Sequence, residues 1–210
     1  MKIELVIRKI KEMIKEEKPF LDKVTSKNAF KVLISCLLSL RTKDQITKKA
    51  VQRFFKRFKT LKSIEKASIK EIEKVIFPVG FYRTKAKRIK ELVYRLIKEY
   101  KGKVPDKKEE LLKLKGVGNK CANLILSLVF KKPEICVDTH VHRISNRLGW
   151  VKTKTPQQTE RELKKVLPIK FWREINWILV SFGQKICRPL KPKCEICKIN
   201  KECEFFKRKS

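Results

Sequence analysis

The sequence predicts an all-α fold, and three observations support this prediction. Apolar residues recur every three or four positions, as they do on one face of a helix. Alternating apolar and polar residues, which are typical of strands, are nearly absent. Capping residues and glycines mark where helices begin and end. Met1–Lys18 shows the pattern, because Ile3, Ile7, Ile10 and Ile14 lie on one stripe among Lys and Glu.

These signals place the helices in chain order. Helices are predicted over 1–16, 27–40, 43–57, 69–77, 85–100, 107–114, 119–130, 139–148, 156–166 and 171–182. Helix starts are marked by a capping residue with a partner: Ser68 with Glu71, Asp106 with Glu109, and Thr155-Pro156 with Gln158. Helix ends are marked by glycines: Gly80, Gly102, Gly149 and Gly183. Phe171–Phe182 is apolar almost all round, so we expect this helix to be buried.

The composition excludes several classes of protein. Hydrophobic residues make up 42% of the 210 residues, too much for a disordered basic tail and enough for one or two compact domains. Uncharged runs such as Val32–Leu40 and Cys121–Phe130 contain nine and ten residues, whereas a membrane span needs about 20. No signal-peptide block follows the first helix. The sequence therefore predicts neither a transmembrane nor a secreted protein.

The net charge indicates a polyanionic partner. The chain has 55 Lys and Arg against 22 Asp and Glu, a formal charge of +33. Such an excess favours binding to nucleic acid, with an anionic membrane surface as the alternative. A heat-adapted surface rich in Lys and Glu would explain many charges of both signs, but not an excess of one. Charge alone does not distinguish DNA from RNA.

Two short connections are candidates for contact with that partner. Leu114–Lys120 joins two helices through Gly116-Val117-Gly118, a turn at which unpaired helical N–H groups can hold a phosphate. Phe77–Arg83 places Phe81 near the tip of a turn before a helix with nine Lys or Arg and two Glu from residue 83 to 103. The alternative for that second segment is an ordinary solvated helix face.

Four of the seven cysteines predict a metal centre. Cys187, Cys194, Cys197 and Cys203 have the spacing Cys-x6-Cys-x2-Cys-x5-Cys in a short polar segment with little apolar material to fold around. Four thiolates suit tetrahedral zinc or a four-iron cluster, and local chemistry leaves both open. Disulfides are disfavoured because nothing indicates an oxidising compartment. The other cysteines have apolar neighbours and are expected to be core thiols: Cys36, Cys121 and Cys136.

Taken together, these motifs resemble the endonuclease III family, DNA glycosylases/AP lyases of the helix-hairpin-helix superfamily. The resemblance runs from about Phe30 to Cys203, and its most specific parts are Leu114–Ala122, Val137–Arg143 and the cysteine spacing. It implies two helical lobes with DNA in the groove between them. Residues 22–132 would form a six-helix lobe with the helix-hairpin-helix at about 107–130. Residues 1–21 and 133–210 would form the iron–sulfur cluster lobe.

The resemblance also implies roles for individual residues. Lys120 matches the lysine that forms the Schiff base, and Asp138 matches the catalytic aspartate. Isolated from the motif, Lys120 would be a solvated lysine and Asp138 an N-cap. The remaining matches are Gly116, Val117 and Gly118 for backbone phosphate; Arg188, Lys191 and Lys193 for a basic loop facing DNA; Phe81 for a wedge; Arg41 for insertion into the vacated stack; and Cys187, Cys194, Cys197 and Cys203 for a [4Fe–4S] cluster in the loop 187–203.

Two positions depart from the usual family pattern. Gln is more usual than Arg41, and Leu is more usual than Phe81, so strand opening and opposite-base preference are expected to differ. Lys120 is retained, whereas relatives specialised for mismatched adenine or thymine carry other residues there. Relatives that excise 8-oxoguanine keep a lysine. His140 and His142 are expected to pack and form hydrogen bonds rather than act as bases or ligands.

The resemblance implies a monomeric repair enzyme in the cytoplasm of a prokaryote. It would remove oxidised pyrimidines such as thymine glycol from double-stranded DNA and nick the abasic site by β-elimination. Three alternatives remain open: a helix-hairpin-helix DNA-binding module without chemistry, a glycosylase for 8-oxoguanine, and a zinc-stabilised nucleic-acid-binding protein.

Overall fold

A computed structural model describes residues 3–15 and 28–208, and every regular element within those ranges is helical. This confirms the all-α prediction. The α-helices are α1 (Ile3–Ile14), α2 (Ala29–Ser39), α3 (Asp44–Arg57), α4 (Leu61–Lys66), α5 (Ile69–Ile76), α6 (Tyr82–Tyr100), α7 (Lys108–Lys113), α8 (Asn119–Leu128), α9 (Thr139–Arg147), α10 (Pro156–Val166), α11 (Ile175–Lys185) and α12 (Glu204–Lys207). Short 3₁₀ segments lie at Ile169–Phe171 and Cys194–Ile196. The outer ends of the first predicted helix, the predicted start at 27 and the lobe boundary at 21–22 lie outside the described residues.

The described residues fall into two compact units. Residues 28–130 form one of them, from α2 to α8. Its central element is α2, in which every residue from Val32 to Leu38 is buried. This helix packs against α3, α6 and α8. Residues that end α2 or begin α6 and α8 are therefore held by one shared core.

Residues 3–15 and 131–208 form the second unit. Helix α11 is its centre, since all residues from Ile175 to Gly183 are buried and both α1 and α9 pack against it. The apolar stripe of α1 predicted from the sequence enters this core, with Ile7 and Ile10 almost fully buried. The expectation of a buried helix at 171–182 is thus confirmed, although its α-helical part begins at Ile175.

The helix signals in the sequence were correct in most places and wrong in three. Thr155 and Gln158 form the predicted capping box, with proline at the start of α10. Asp106 does not cap α7, whose N-cap is Lys107 without a side-chain hydrogen bond. Helix α4 was not predicted, although Thr60 and Ser63 form its capping box. The third error is Gly183, which lies inside α11 rather than at its end.

Gly183 is explained by packing rather than by helix termination. A Cβ atom at this position would lie 2.4 Å from Nδ1 of His140 and 3.0 Å from Cδ1 of Ile144, both on α9. Real Cβ contacts are not that short, so glycine allows α9 and α11 to approach each other. No helix in the described ranges combines the length and apolar character needed to cross a bilayer.

Gly183→Ala should destabilise the protein, because the added methyl group overlaps the His140 ring. We expect the free energy of unfolding in urea to fall by about 1–3 kcal/mol. Part of this loss should disappear when His140→Ala is also present, since that substitution makes room for the methyl group. Costs of the two single substitutions that simply add would contradict this explanation.

Candidate functional site

The connection between α7 and α8 is a tight glycine turn whose main chain is accessible to a ligand. Leu114 is buried, and its carbonyl oxygen accepts a hydrogen bond of 2.9 Å from the Val117 amide. Gly116 has a φ of +90°, and a Cβ there would lie 3.3 Å from Leu37, so this position requires glycine. At Gly118, by contrast, a Cβ would meet no atom within 4 Å. The main chain at Gly118 is therefore open to close approach by a ligand.

Val117 lies within this turn, and Lys120 lies in the helix that follows it. The Val117 side chain is buried, so it anchors the turn while its main chain shapes the surface. Gly118 is the N-cap of α8, and the first hydrogen bond within the helix runs from Ala122 to the Gly118 oxygen. The main-chain amides of α8 before Ala122 are at the positive end of the helix, where anions bind. Lys120, the second residue of α8, is half-buried at that end.

The positive charge of Lys120 acts on a buried core thiol, Cys36. Cys36 on α2 and Cys121 on α8 are both buried, as expected for core cysteines. The Cys121 side chain lowers the pKa of Cys36, burial raises it, and the positive charge of Lys120 lowers it. The ammonium group of Lys120 is thus close enough to α2 for its charge to act there. Cys136, in the other unit, is also buried.

Asp138 caps α9, as the sequence predicted for this residue alone. Its Oδ1 accepts hydrogen bonds of 2.9 Å from the main-chain amides of His140 and Val141. These two bonds fix the direction of the half-buried carboxylate. Asp138 belongs to the unit of residues 131–208, whereas Lys120 belongs to that of residues 28–130.

The two histidines of the same motif form structural contacts. His142 Nδ1 lies 2.6 Å from the Thr159 hydroxyl, which ties α9 to α10. His140 Nδ1 lies 3.2 Å from the guanidinium of Arg143. These contacts agree with the expectation that both histidines pack and form hydrogen bonds.

Arg41 and Phe81 are brought together although they are forty residues apart. The Arg41 guanidinium lies over the Phe81 ring, 5.6 Å from its centroid. Both residues are exposed, Phe81 with 61% of its surface accessible. Both also have left-handed main-chain conformations, with φ of 51° and 58°. The structure therefore displays a cation and an aromatic ring side by side, at the turns that follow α2 and precede α6.

The four clustered cysteines line one cavity. It has a volume of about 380 Å³ with its open mouth included, and Pro192 and Phe206 also contribute to its wall. None of the four forms a disulfide, and all are partly exposed. Among the described residues, no three His, Cys, Asp or Glu side chains stand close enough together to hold a single metal ion. The four cysteines therefore lie around the cavity rather than at one point.

The chemistry of these thiols fits a positively charged group in that space. Burial, and then the neighbouring Cys187 and Cys203, raise the pKa of Cys194. Burial raises the pKa of Cys197 to about 11. Thiolates this close repel one another, and a metal centre among them removes that repulsion by binding each sulfur. The four thiols and the shared cavity therefore fit an iron–sulfur cluster, whereas a single zinc ion would need the cysteines closer together.

Two arginines that sequence reasoning missed hold the loop between Cys187 and Cys194. Arg143 donates a hydrogen bond of 2.9 Å to the Cys187 carbonyl oxygen. Arg147 donates to the carbonyl oxygens of Arg188 and Pro189, and at 3.4 Å to the sulfur of Cys187. Their spacing of four residues on one helix was the only signal in the sequence. The side chains of residues 188–191 in this loop are exposed.

The predicted basic residues of this loop differ in their exposure. Arg188 and Lys191 are exposed, and Lys191 has a left-handed φ of 48°. Lys193 is half-buried, and its amide donates to the Ile186 carbonyl oxygen. An apolar residue, Leu190, is 84% exposed among them.

Three features together are those of a class of DNA repair proteins. They are the glycine turn between α7 and α8, the lysine in the first turn of α8, and the four-cysteine loop. A family model described as HhH-GPD superfamily base excision DNA repair protein matches residues 34–169, and the chain belongs to this superfamily. Endonuclease III of Thermotoga maritima is 51% identical over 180 residues, which cover 86% of this chain and 84% of that protein. Endonuclease III-like protein 1 of Gallus gallus is 44% identical over 85% of this chain and 65% of that protein.

The fold agrees with solved structures of the same type. A trapped endonuclease III–DNA covalent intermediate superposes with a TM-score of 0.90 and 32% sequence identity, covering 99% of this chain and 96% of that one. Within the superfamily, the chain is therefore an endonuclease III-type base excision repair DNA glycosylase/AP lyase, and it binds DNA.

Proposed function

We propose that this enzyme removes oxidised pyrimidines, such as thymine glycol, and then nicks the abasic strand by β-elimination through an imine on Lys120. The observation that carries the proposal is the position of Lys120, two residues after Gly118 in the first turn of α8. A DNA phosphate bound at the Gly116–Gly118 turn brings its attached sugar close to this amine. The similarity to a trapped covalent endonuclease III–DNA intermediate supports a covalent route.

The proposed reaction begins with attack of the Lys120 amine on C1′ of the damaged nucleotide. The base leaves with the electron pair of the glycosidic bond and takes up a proton. The nitrogen then loses one proton, and the C1′–O4′ bond of the sugar ring breaks as O4′ takes up a proton, which leaves a protonated imine between Lys120 and C1′. The imine acidifies the C2′ hydrogen, so loss of that proton expels the 3′ phosphate and breaks the strand.

Asp138 assists this reaction through its charge and its basicity. Attack requires an unprotonated amine, whereas a lysine with an unperturbed pKa of about 10.4 is protonated at neutral pH. A carboxylate can accept the amine's proton and stabilise the positive sugar formed as the base leaves. Capping α9 and acting in catalysis are compatible, because the hydrogen bonds from His140 and Val141 leave the charge of Asp138 in place and fix its position.

Arg41 and Phe81 are the residues proposed to open the duplex. A base in a stacked duplex is out of reach, and flipping it out costs a few kcal/mol. An inserted aromatic ring and guanidinium can offset part of this cost by stacking on the neighbouring bases. The exposed Arg41–Phe81 pair offers both groups together. Arg188, Lys191 and Lys193 are proposed to contact DNA phosphates from the cysteine loop.

Cys187, Cys194, Cys197 and Cys203 are the proposed ligands of a [4Fe–4S] cluster, which the endonuclease III family carries. When bound, the cluster supplies iron–sulfur bonds that cross-link a segment with little apolar core of its own. Arg143 and Arg147 hold the main chain of this segment in position. We further propose that the enzyme acts as a monomer on damaged double-stranded DNA in a prokaryotic cytoplasm.

Lys120→Gln should abolish the imine while leaving DNA binding almost unchanged, because the amide cannot attack C1′ but preserves the phosphate-binding turn. The measurement is borohydride trapping on duplexes with thymine glycol, an abasic site or 8-oxoguanine. We expect the wild type to be trapped most efficiently on thymine glycol and the abasic site, and Lys120→Gln on none of the duplexes.

Lys113→Gln is the matched control, since Lys113 is an exposed lysine of α7 that pairs with Glu110. It should be trapped as efficiently as the wild type. Trapping of Lys120→Gln would refute the assignment of the nucleophile. Wild-type trapping mainly on 8-oxoguanine would assign a different substrate to the same chemistry, and tight binding without any adduct would indicate a module without catalysis.

Asp138→Asn should separate capping from catalysis, because Asn caps a helix about as well as Asp but carries no charge. We expect a loss of about 10²-fold or more in the single-turnover rate of base excision. The urea midpoint should remain close to that of the wild type. An unchanged excision rate would mean that Asp138 is only a cap.

Cys197→Ser should remove the cluster and weaken DNA binding together, because the basic loop depends on the cross-link. We expect loss of the broad absorbance near about 400 nm that iron–sulfur clusters produce, and weaker binding to an abasic-site duplex. Cys136→Ala, which removes a buried thiol outside the cavity, should retain the absorbance. Full DNA binding by a cluster-free protein would disprove the coupling, and a colourless wild type containing zinc would disprove the iron–sulfur assignment.

A further inference from the structure

Lys85 is a buried lysine to which the proposed reaction assigns no role. It lies in the first turn of α6 and is only 5% exposed. Its ammonium group donates to the carbonyl oxygens of Leu38 at 2.9 Å and Leu40 at 2.5 Å, and to the Thr42 hydroxyl at 3.2 Å. These acceptors lie on both sides of Arg41. A single cation therefore holds the turn that displays Arg41.

The charge of Lys85 is retained at neutral pH despite its burial. Desolvation, with the nearby charge of Arg88 second, lowers the pKa of Lys85 to about 8. The amine is then still mostly protonated at pH 7, and an ammonium group has three protons to donate. Three oxygen acceptors surround it, so the group is matched to its surroundings. Removing the donors would leave buried carbonyl oxygens without this partner.

The same turn is joined directly to the residue before Phe81. The Gly80 amide donates to the Thr42 hydroxyl at 3.1 Å, and that hydroxyl also lies 3.2 Å from the Leu40 oxygen. A Cβ at Gly80 would be 2.5 Å from the Arg41 carbonyl oxygen, so the two main chains are in contact. Lys85, Thr42 and Gly80 thus form one hydrogen-bonded junction beneath the Arg41–Phe81 pair.

This junction explains how two unfavourable main-chain conformations persist. Arg41 and Phe81 both have positive φ, a left-handed conformation that brings the Cβ atom too close to the main chain and is therefore unfavourable. Such conformations persist where the surroundings determine them. Here Lys85 binds two carbonyl oxygens before Arg41 and the Thr42 hydroxyl after it, and Phe81 follows the residue that contacts Arg41.

We propose that Lys85 is a positioning residue that preassembles Arg41 and Phe81 for insertion into DNA and thereby accelerates opening of the duplex at the lesion. This inference rests on the role proposed above for Arg41 and Phe81. Lys85 acts through these two residues and touches no reacting atom. Its effect is therefore expected in the opening step and not at a site where the base is already missing.

A second lysine on the same helix provides a matched control. Lys90 donates to the carbonyl oxygens of Ile64, Glu65 and Ala67, at and just beyond the end of α4. It has the same chemistry as Lys85, one ammonium group on three oxygens, but it does not join the turns of Arg41 and Phe81. A general structural role for a lysine that binds main-chain oxygens would affect both positions alike.

The experiment compares Lys85→Met with Lys90→Met in the full chain. Two single-turnover rates are measured: excision of thymine glycol from a duplex, and borohydride trapping at a preformed abasic site. Fluorescence of 2-aminopurine placed beside the lesion reports unstacking. For Lys85→Met we expect about tenfold slower unstacking and excision, with abasic-site trapping within about twofold of the wild type. Lys90→Met should stay within about twofold in all three measurements, even where its urea midpoint falls.

The Arg41→Ala/Phe81→Ala background separates this inference from the proposed function. In that background, Lys85→Met should cause no further loss, because its targets are gone. If Arg41→Ala/Phe81→Ala excises at the wild-type rate, the proposed role of this pair is wrong and the inference falls with it. If that variant is slow but Lys85→Met lowers the rate again, or if Lys90→Met is equally slow, only the inference is overturned.

Thr42→Val replaces Lys85→Met if the latter does not fold. It removes the hydroxyl shared by Lys85 and Gly80 while keeping the volume of the side chain. We expect a loss of about threefold in unstacking and excision, in the same direction and with the same dependence on Arg41 and Phe81. Unchanged rates in this variant would count against the junction.

Discussion

Hydrogen bonds from cationic side chains to main-chain carbonyl oxygens hold several turns and helix ends, among them turns on which proposed functional residues lie. The five clearest donors are Arg53, Lys85, Lys90, Arg143 and Arg147. Arg53 binds the main chain at the end of α5, Lys85 the turn after α2, Lys90 the end of α4, and both α9 arginines the cysteine loop. The composition makes such bonds available, because 55 basic residues cannot all pair with 22 acidic ones. Carbonyl oxygens at turns and helix ends carry the partial negative charge that these cations need.

The excess of positively charged side chains therefore has two uses in this protein. Of the five cations named above, Arg53 is exposed and the other four are partly or fully buried. These cations stabilise particular turns and helix ends, while other exposed cations such as Arg188 and Lys191 remain available to phosphate. The two groups meet in the cysteine loop, where Arg147 holds the main chain of a segment whose side chains are exposed. Salt should therefore weaken contacts of the second kind far more than those of the first, because burial limits screening.

Helix ends carry most of the proposed functional residues. Lys120 is the second residue of α8, Asp138 caps α9, and Phe81 precedes α6. At an end, main-chain amides or carbonyl oxygens lack helical partners and are available to fix a side chain or a phosphate. The Asp138 carboxylate uses this directly, since two amides of its own helix fix its orientation. Short turns alone would be too flexible for such precision, and the buried cores of α2 and α11 provide the rigidity behind them.

The sequence by itself determined the helical class, most helix positions, the Thr155 capping box, the Asp138 cap and the four-cysteine spacing, because these depend on neighbours within a few residues. It did not reveal that Gly183 lies inside α11, because glycine is required there by the close packing of His140 from α9. Nor did it reveal Lys85, which resembles every other lysine of a basic helix until α2 is packed beside it. Only the tertiary structure decided these, because the approach of distant segments chooses which cations are buried and which carbonyl oxygens they bind.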